Sequence, residues 1–314
     1  MQNITDSILI QIESVVLGKP KECRLALTCI LAQGHLLIED LPGMGKTTLA
    51  HTLAETLNLS YQRTQFTNDL LPADILGVSI FNTHSQSFEL HKGGIFNQVV
   101  LADEINRASP KTQSALLEAM EEKQVSIDGK TYKLPEPFFV IATQNPLFHS
   151  GTYPLPESQL DRFMMRISLG FPDIKAEKKI LMSSSSANLH SGIRNLITLE
   201  KLKSIQEIIQ TVHASDSIIE YIIALCRISR GVQSSDNKIS CHPLSPRAGK
   251  AILSAAKAWA YLDNRDYLLP DDVKAIFPSV CEHRLASNVY EQQNANNISD
   301  QILNSVNVLN PLNL

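Results

Sequence analysis

A short apolar run at residues 36–38 leads directly into the glycine-rich turn Glu39–Gly45, and a lysine and two threonines follow. This order is typical of a strand, a tight loop and a helix, the repeating unit of a parallel α/β sheet. Gly43 and Gly45 allow the backbone to curl so that successive N–H groups point inward, and the following helix adds the positive end of its dipole. The segment therefore predicts an anion-binding loop of the kind that holds nucleotide phosphates.

The lysine and the hydroxyl group of this loop have separate predicted roles. Lys46 would reach the β- and γ-phosphates, and Thr47 carries the hydroxyl that a bridging magnesium ion would use as a ligand. One position departs from the general pattern, because Asp40 stands where that pattern begins with glycine. The alternative is a strand–turn–helix connection without a ligand. The predicted nucleotide-binding residues are Pro42, Gly43, Met44, Gly45, Lys46, Thr47 and Thr48.

Two carboxylates, Asp103 and Glu104, follow a second buried-strand pattern at residues 99–102. An open α/β sheet presents its catalytic groups at such strand ends. Asp103 would hold the magnesium ion directly or through water, and Glu104 would orient and polarise the attacking water. Alone, such a pair is usually a solvated strand end. Together with the upstream lysine loop it favours nucleotide hydrolysis over nucleotide binding alone.

One amide and two arginines complete the set of candidate site residues. Asn145 follows a third apolar strand pattern and would reach the γ-phosphate or the attacking water, the alternative being a turn residue before Pro146. Arg162 and Arg247 each lie at the edge of a predicted helix. A guanidinium group suits the charge that develops on a transferred phosphoryl group. The alternative for each arginine is a surface salt bridge.

With these five motifs in this order, the chain resembles the MoxR family of AAA+ ATPases, within the helix-2-insert clade, from about Val16 to about His283. The resemblance implies an α/β fold of the P-loop NTPase type, with a parallel sheet sandwiched by helices, and then a small all-α lid domain. We expect the nucleotide-binding domain at residues 1–171, the lid at 172–290, and a polar tail or final helix at 291–314.

The same resemblance implies a role for each candidate residue. Asn145 corresponds to the sensor-1 residue, and Arg162 to an arginine finger that completes a neighbouring subunit's site. Arg247 corresponds to the sensor-2 arginine, which acts in cis or in trans. The implied cofactors are ATP and Mg²⁺, with Thr47 and Asp103 as metal ligands. The implied catalytic residues are Lys46, Glu104, Asn145, Arg162 and Arg247.

By resemblance, the protein is an ATPase whose hydrolysis drives chaperone-like remodelling or maturation of a partner complex. It would work as a homo-oligomeric ring, expected to be a hexamer, with a von Willebrand-type metal-binding-domain partner. One alternative is the ATPase motor subunit of a metal chelatase, which shares the helix-2-insert layout. Another is a non-hydrolysing, ATP-gated adaptor, and Glu104 and Arg162 argue against it.

The sequence predicts hairpins in two further segments. Residues 70–98 predict a helix interrupted by a two-stranded insert, with strands at Val78–Phe81 and Ser87–Leu90. Residues 125–132 alternate around an Asp128–Gly129 turn, a strong local hairpin signal. By resemblance, both mark the helix-2-insert clade, with loops that project toward the ring pore or a partner. The alternative is a pair of surface hairpins that cover a sheet edge.

Composition limits the remaining function classes. A chain of 314 residues with 43% hydrophobic residues has the length for about two domains. Its net charge of −4 leaves no electrostatic footprint for nucleic acid, so a DNA motor is disfavoured. Five cysteines without a Cys-x-x-Cys pair indicate free thiols in a reducing compartment. A metal cluster built from Cys241, His242, Cys281 and His283 is poorly supported by their spacing.

The two ends of the chain and the region after Phe171 give coarser predictions. The amino terminus has no targeting signal and the chain has no bilayer-length apolar run, so we expect a cytoplasmic protein without direct membrane insertion. Residues 8–16 predict a docking helix. After Phe171–Asp173 the pattern changes to helices alone, and proline there suits a hinge. Helices are predicted at 174–182, 199–212, 217–229, 246–262 and 270–277.

Overall fold

The computed structural model describes residues 2–145, 151–182, 192–231, 239, 241–285, 298–308 and 311. Within these ranges, five parallel strands form a central sheet in the order β2-β5-β8-β1-β9. The strands along the chain are β1 (Leu36–Glu39), β2 (Tyr61–Gln65), β3 (Gly77–Asn82), β4 (Ser87–Lys92), β5 (Val99–Asp103), β6 (Gln124–Ile127), β7 (Lys130–Lys133), β8 (Phe139–Gln144) and β9 (Met165–Ile167).

Helices cover both faces of this sheet. The helices are α1 (Gln2–Val15), α2 (Pro20–Leu31), α3 (Lys46–Thr56), α4 (Pro72–Leu76), α5 (Pro110–Glu122), α6 (Glu157–Leu160), α7 (Ile174–Met182), α8 (Leu199–Thr211), α9 (Asp216–Ser229), α10 (Pro246–Leu262), α11 (Pro270–Leu285) and α12 (Ile298–Ser305). From α7 onward the described chain has no named strand. The α/β sandwich followed by a helical region agrees with the predicted fold class.

The two faces of the sheet belong to different parts of the hydrophobic core. Leu36 and Ile38 of β1 pack with α1–α3 and the C-terminal helices, whereas Leu37 packs on the opposite face with α4 and α5. This alternation follows from the two-residue period of a strand. Every residue of β5 and β8 is buried, because helices cover both faces of these central strands.

The strand register aligns the polar residues that end the strands. Gln65 of β2 lies opposite Asp103 of β5, and Glu39 of β1 lies opposite Gln144 of β8. Because all these strands run parallel, their carboxyl ends share one edge of the sheet. The predicted site residues that follow β1, β5 and β8 therefore lie close together at this edge of the sheet.

Both predicted hairpins form. β3 and β4 pair antiparallel from Gly77–Lys92 to Asn82–Ser87, directly after the short helix α4. β6 and β7 pair around Asp128 and Gly129, which both have positive φ, as this kind of tight turn requires. The predicted helix at residues 8–16 forms as far as Val15, as part of α1. Its buried Ile8 and Ile12 pack into the core beside α2 and α3.

One helix end differs from its prediction. The sequence predicts a helix at residues 270–277, but α11 continues through Pro278 to Leu285. Val280, Cys281 and Leu285 are fully buried in the core. Their burial outweighs the backbone hydrogen bond that proline removes.

Several smaller expectations concern cysteines, membranes and the chain's connections. All five cysteines lie in the described part of the chain and are free. No group of three or more possible metal-binding side chains is found among the described residues. None of the described helices is long and apolar enough to cross a membrane. Pro146, residues 183–186 and residues 286–297 lie outside the described residues. Helix α12 provides a final helix within the predicted tail.

Candidate nucleotide-binding site

The glycine-rich turn connects β1 to the amino terminus of α3. Gly43 and Gly45 adopt φ values of 84° and 89°, in the left-handed region that side chains with a Cβ rarely occupy. No described atom lies within 4 Å of a Cβ built on either glycine, so conformation rather than space requires glycine here. The loop wraps an open concavity at the first turn of α3, where backbone N–H groups lack helical partners.

Lys46 starts α3 and lies under the loop. Its Nζ donates to the backbone oxygen of Asp40 at 2.7 Å and to Oδ1 of Asn145 at 2.9 Å. The residue is only 7% exposed. Burial lowers the pKa of this ammonium group, while the carboxylates of Asp40, Asp103 and Glu104 oppose the shift. A cation held in this way adds positive charge directly below the loop.

Asp103 ends β5, and both oxygens of its side chain have donors. Oδ1 accepts from the Thr143 hydroxyl at 2.6 Å, and Oδ2 accepts from Arg63 Nη2 at 2.7 Å and Nε at 3.1 Å. Arg63 lies on the neighbouring strand β2. The sequence analysis missed Arg63, because the polar segment Tyr61–Gln65 carries no buried-strand signal and only the sheet pairing brings it to Asp103.

Glu104 leaves the strand in a left-handed conformation, with φ 56° and ψ 48°. Its N–H donates to the Thr143 hydroxyl at 2.8 Å. Its carboxylate accepts from Asn145 Nδ2 at 2.9 Å, from Gln65 Nε2 at 3.1 Å and from Arg107 Nη1 at 2.7 Å. A residue with a Cβ adopts this backbone conformation at a cost of about 1–2 kcal/mol, and such strain is common at functional sites. Three donors fix the orientation of this carboxylate.

Asn145 connects the two ends of the site. Its Oδ1 accepts from Lys46 and its Nδ2 donates to Glu104. The sequence identified Asn145, but it missed Gln65, which holds the other side of the same carboxylate. Together these side chains surround a cleft of about 370 Å³. The cleft is lined by Pro42, Gly43, Gly45, Lys46, Thr47, Thr48, Arg63, Gln65, Asp103, Glu104 and Asn145.

The two remaining candidates, Arg162 and Arg247, both contact Glu121 rather than the cleft. Arg162 Nε lies 3.3 Å from Oε2 of Glu121, and Arg247 contacts the other oxygen of the same carboxylate. Arg247 Nη1 also lies 3.8 Å from Asp161 Oδ2. Neither arginine is among the described residues that line the cleft. Arg162 comes from the sheet domain and Arg247 from the first turn of α10, so two distant segments supply this cationic pair.

The donor set of the cleft fits a nucleotide with a magnesium ion. The loop, the start of α3 and Lys46 supply N–H groups and positive charge for phosphates. Thr47 and Asp103 supply hydroxyl and carboxylate oxygens, the ligands that Mg²⁺ prefers. In this structure the Arg63 guanidinium provides positive charge at Asp103 Oδ2.

Two family models match the chain. Residues 35–165 match the model described as ATPase family associated with various cellular activities (AAA), and residues 239–305 match the AAA lid domain. The first match contains the loop, both carboxylates, Asn145 and Arg162, and the second contains Arg247.

Individual relatives are similar to this protein over most of its length. The uncharacterized protein YeaC of Bacillus subtilis is 44% identical, over 87% of this chain and 84% of that protein. Chaperone MoxR1 of Mycobacterium tuberculosis is 35% identical, over 88% of this chain and 74% of that protein. A crystal structure from Cytophaga hutchinsonii, of a protein described as a candidate ATPase, superimposes with a TM-score of 0.88 at 37% identity. The superposition covers 99% of this chain and 95% of that chain. The chain therefore belongs to the MoxR family of AAA+ ATPases.

Proposed function

We propose that this protein hydrolyses ATP with Mg²⁺ and uses the energy to remodel a partner protein complex. The observation that carries the proposal is the position of Asn145, whose amide contacts both Lys46 and Glu104. The oxygen of the Asn145 amide thereby holds the Lys46 ammonium group, and its nitrogen holds the Glu104 carboxylate. Phosphoryl transfer depends mostly on positioning and charge stabilisation, so a fixed arrangement of this kind supports hydrolysis rather than binding alone.

Each side chain has a defined task in this proposal. Lys46 binds the terminal phosphates, and Glu104 orients and polarises the attacking water. Asn145 and Gln65 hold the Glu104 carboxylate from two sides. Since the Glu104 backbone is held by the hydroxyl of buried Thr143, the carboxylate needs little reorganisation during the reaction.

Thr47 and Asp103 would hold the magnesium ion, which would neutralise charge on the phosphates and act as a Lewis acid. Asp103 keeps its Oδ1 bond to Thr143 and offers Oδ2. Arg63 must then move away from Oδ2. The Arg63 side chain is half exposed, so it has solvent-accessible space into which it could move.

We propose that Arg162 and Arg247 both act on the nucleotide of a neighbouring subunit. They share Glu121 on the surface of their own subunit and do not line the described part of its cleft. Arginine is suited to stabilise the charge of a transferred phosphoryl group supplied across an interface. This arrangement needs a homo-oligomeric ring, for which we retain the hexamer expected from the family.

The proposed mechanical role has its own support. A 35% identical relative is named a chaperone. The β3–β4 hairpin exposes Ile80, Phe81 and Phe88, with the two phenylalanine rings in edge-to-face contact 5.3 Å apart. An exposed apolar tip suits contact with another protein. A von Willebrand-type partner, a cytoplasmic location and a domain division after residue 171 remain proposals that rest on the family resemblance and the sequence.

The test is ATP turnover and ATP binding in the Glu104→Gln variant, with Glu220→Gln on the exposed face of α9 as the matched control. We expect Glu104→Gln to bind ATP but to lose turnover by about 10²-fold or more, the range for a positioned general base. The control should hydrolyse ATP at the wild-type rate. Turnover retained in Glu104→Gln would contradict the role of Glu104, and a wild type without turnover would favour the adaptor.

A further inference from the structure

Asp40 holds two parts of the chain together that are 130 residues apart in sequence. Its Oδ2 accepts from the Gly170 N–H at 2.6 Å and from the Ser168 hydroxyl at 3.1 Å, and its Oδ1 accepts from the Leu41 N–H at 2.9 Å. The residue is 8% exposed. A buried carboxylate needs such donors, and glycine, the usual residue at this position of the loop pattern, offers none of these acceptors.

The segment that Asp40 holds connects the sheet to the helical region. Gly170 follows β9, and α7 begins four residues later at Ile174. The α1–α2 turn also contacts this segment, since Lys19 Nζ donates to the Phe171 backbone oxygen at 2.6 Å. We call residues 168–173 the interdomain linker. Its path is therefore set by contacts from the sheet domain.

The α1–α2 turn also touches the helix that follows the linker. A Cβ on Gly18 would lie only 2.7 Å from Cβ of Ala176 in the first turn of α7. Such an approach leaves little room for the turn and the helix to move independently. A displacement of the linker would therefore be transmitted directly to α7.

Asp40 is also in contact with the phosphate-binding side of the loop. Its backbone oxygen accepts from Lys46 Nζ, while its carboxylate accepts from the linker. Lys46 is the group that would bind the phosphates in the proposed function, so a bound nucleotide would compete with the Asp40 backbone oxygen for its N–H donors. Asp40 is therefore the residue through which a change at Lys46 would reach the linker contacts at Ser168 and Gly170.

We propose that Asp40 is a positioning residue that couples the occupancy of the phosphate-binding loop to the orientation of the interdomain linker. The inference rests on the proposed function only in requiring that the loop binds nucleotide. It gives the Asp40 carboxylate, which stands where the general loop pattern has glycine, a role at the linker. The helical region, which carries Arg247, would shift relative to the sheet domain when nucleotide binds, and this shift would depend on Asp40.

The experiment measures the distance between the sheet domain and the helical region. Spin labels are placed at Lys111→Cys on α5 and Glu220→Cys on α9, both exposed, in a Cys241→Ser background that leaves the four buried cysteines in place. The labelled chain is mixed with an excess of unlabelled protein, so that only distances within one subunit contribute. Distances are recorded without nucleotide, with Mg²⁺–ATPγS and with Mg²⁺–ADP, and nucleotide affinity is measured in parallel.

Three variants test the coupling. In the labelled parent, ATPγS should shift the distance distribution. In Asp40→Ala the shift should be lost, although ATPγS affinity falls by less than about tenfold, since the loop N–H groups and Lys46 remain. Asp40→Asn, which keeps an acceptor of the same shape, should retain part of the shift. Ser168→Ala removes one linker contact without altering the loop and should reduce the shift in the same direction.

The outcomes separate the coupling from the proposed function. A nucleotide-dependent shift that is equal in the parent and Asp40→Ala overturns the coupling, as does a parent that binds ATPγS without any shift. Reduced affinity in Asp40→Ala together with an unaffected Ser168→Ala would mean that Asp40 only shapes the loop. A parent that binds no nucleotide overturns the proposed function as well.

Discussion

At the residue scale, both ring nitrogens of buried His35 are hydrogen-bonded, and yet this residue limits the stability of the fold at acidic pH. Its Nδ1 accepts from the Val140 N–H at 3.0 Å, and its Nε2 donates to the Met120 backbone oxygen at 3.3 Å. This pair of bonds requires the neutral ring. Burial lowers the pKa of His35 from its ordinary 6.5 to about 4, with the Met120 contact opposing the shift and Lys123 adding to it.

This histidine predicts acid sensitivity of the fold. Because the folded pKa lies below the unfolded one, its contribution is complete above about pH 6.5 and is lost as the pH falls toward 4. We expect the wild type to lose about 2 kcal/mol of unfolding free energy from this group between pH 7.5 and pH 5. Urea unfolding at the two pH values measures the loss.

The matched variants for this test are His35→Gln and His84→Gln, the latter in an exposed loop of the β3–β4 hairpin. His35→Gln should show a smaller dependence of stability on pH than the wild type, although it is less stable at pH 7.5. His84→Gln should behave like the wild type. An identical pH dependence in His35→Gln and the wild type would assign the acid sensitivity to other groups, such as buried His283, whose pKa is also lowered by burial.

At the element scale, the two hairpins differ in how tightly their glycines are packed. Gly77, at the base of the β3–β4 hairpin, has a φ of +101°, and a Cβ there would lie 2.3 Å from the His91 backbone oxygen. Gly129, in the β6–β7 turn, has a φ of +75°, and no described atom lies within 4 Å of its Cβ. The first position is limited by both space and conformation, and the second by conformation alone.

This difference predicts unequal effects of the same substitution. Gly77→Ala should separate the base of the β3–β4 hairpin, because the obstructing atom is backbone and cannot rotate away. Gly129→Ala should cost only the left-handed strain, about 1–2 kcal/mol. Hydrogen exchange of the peptide covering residues 78–91 measures the first effect.

Nucleotide affinity serves as the control, since neither glycine lines the described part of the cleft. It should stay unchanged in both variants. Equal amide protection of residues 78–91 in Gly77→Ala and the wild type would show that the backbone shifts enough to accept the methyl group.

At the scale of the whole molecule, the proposed trans action of the arginines predicts complementation between two inactive variants. Glu104→Gln lacks the carboxylate that we propose to orient the attacking water but keeps Arg162. Arg162→Ala keeps Glu104 but should lose about 10³-fold in turnover, the lower range for an arginine finger. In mixed rings, a site with intact Glu104 can receive Arg162 from its neighbour, so mixing should restore turnover.

Turnover of each variant alone and of their mixtures, at a fixed total protein concentration, provides the measurement. A mixture that never exceeds the more active single variant would mean that Arg162 acts within its own subunit or only in the surface ion pair with Glu121. Replacing Arg162→Ala by Arg247→Ala in the same experiment asks whether Arg247 also acts in trans. Recovery with one arginine variant and not the other would separate their roles.

The sequence alone was sufficient for the fold class, the MoxR family and the parts of the cleft contained in short motifs. Local rules explain this, because glycine conformations, strand periodicity and hairpin turns act over a few residues. Lys46, Asp103, Glu104 and Asn145 were recognisable because each directly follows an apolar strand or a glycine turn. The tertiary structure brings them together around one cleft, as the parallel register of β1, β5 and β8 requires.

Other features depended on contacts between segments distant in sequence, which only the tertiary structure decides. Arg63 and Gln65 join the cleft because β2 pairs with β5, and α11 passes through Pro278 because its far end is buried. In the sequence, Asp40 is visible only as a departure from the general loop pattern. In the fold its carboxylate meets the linker at Ser168 and Gly170, since packing of β9 beside β1 places that linker against the loop.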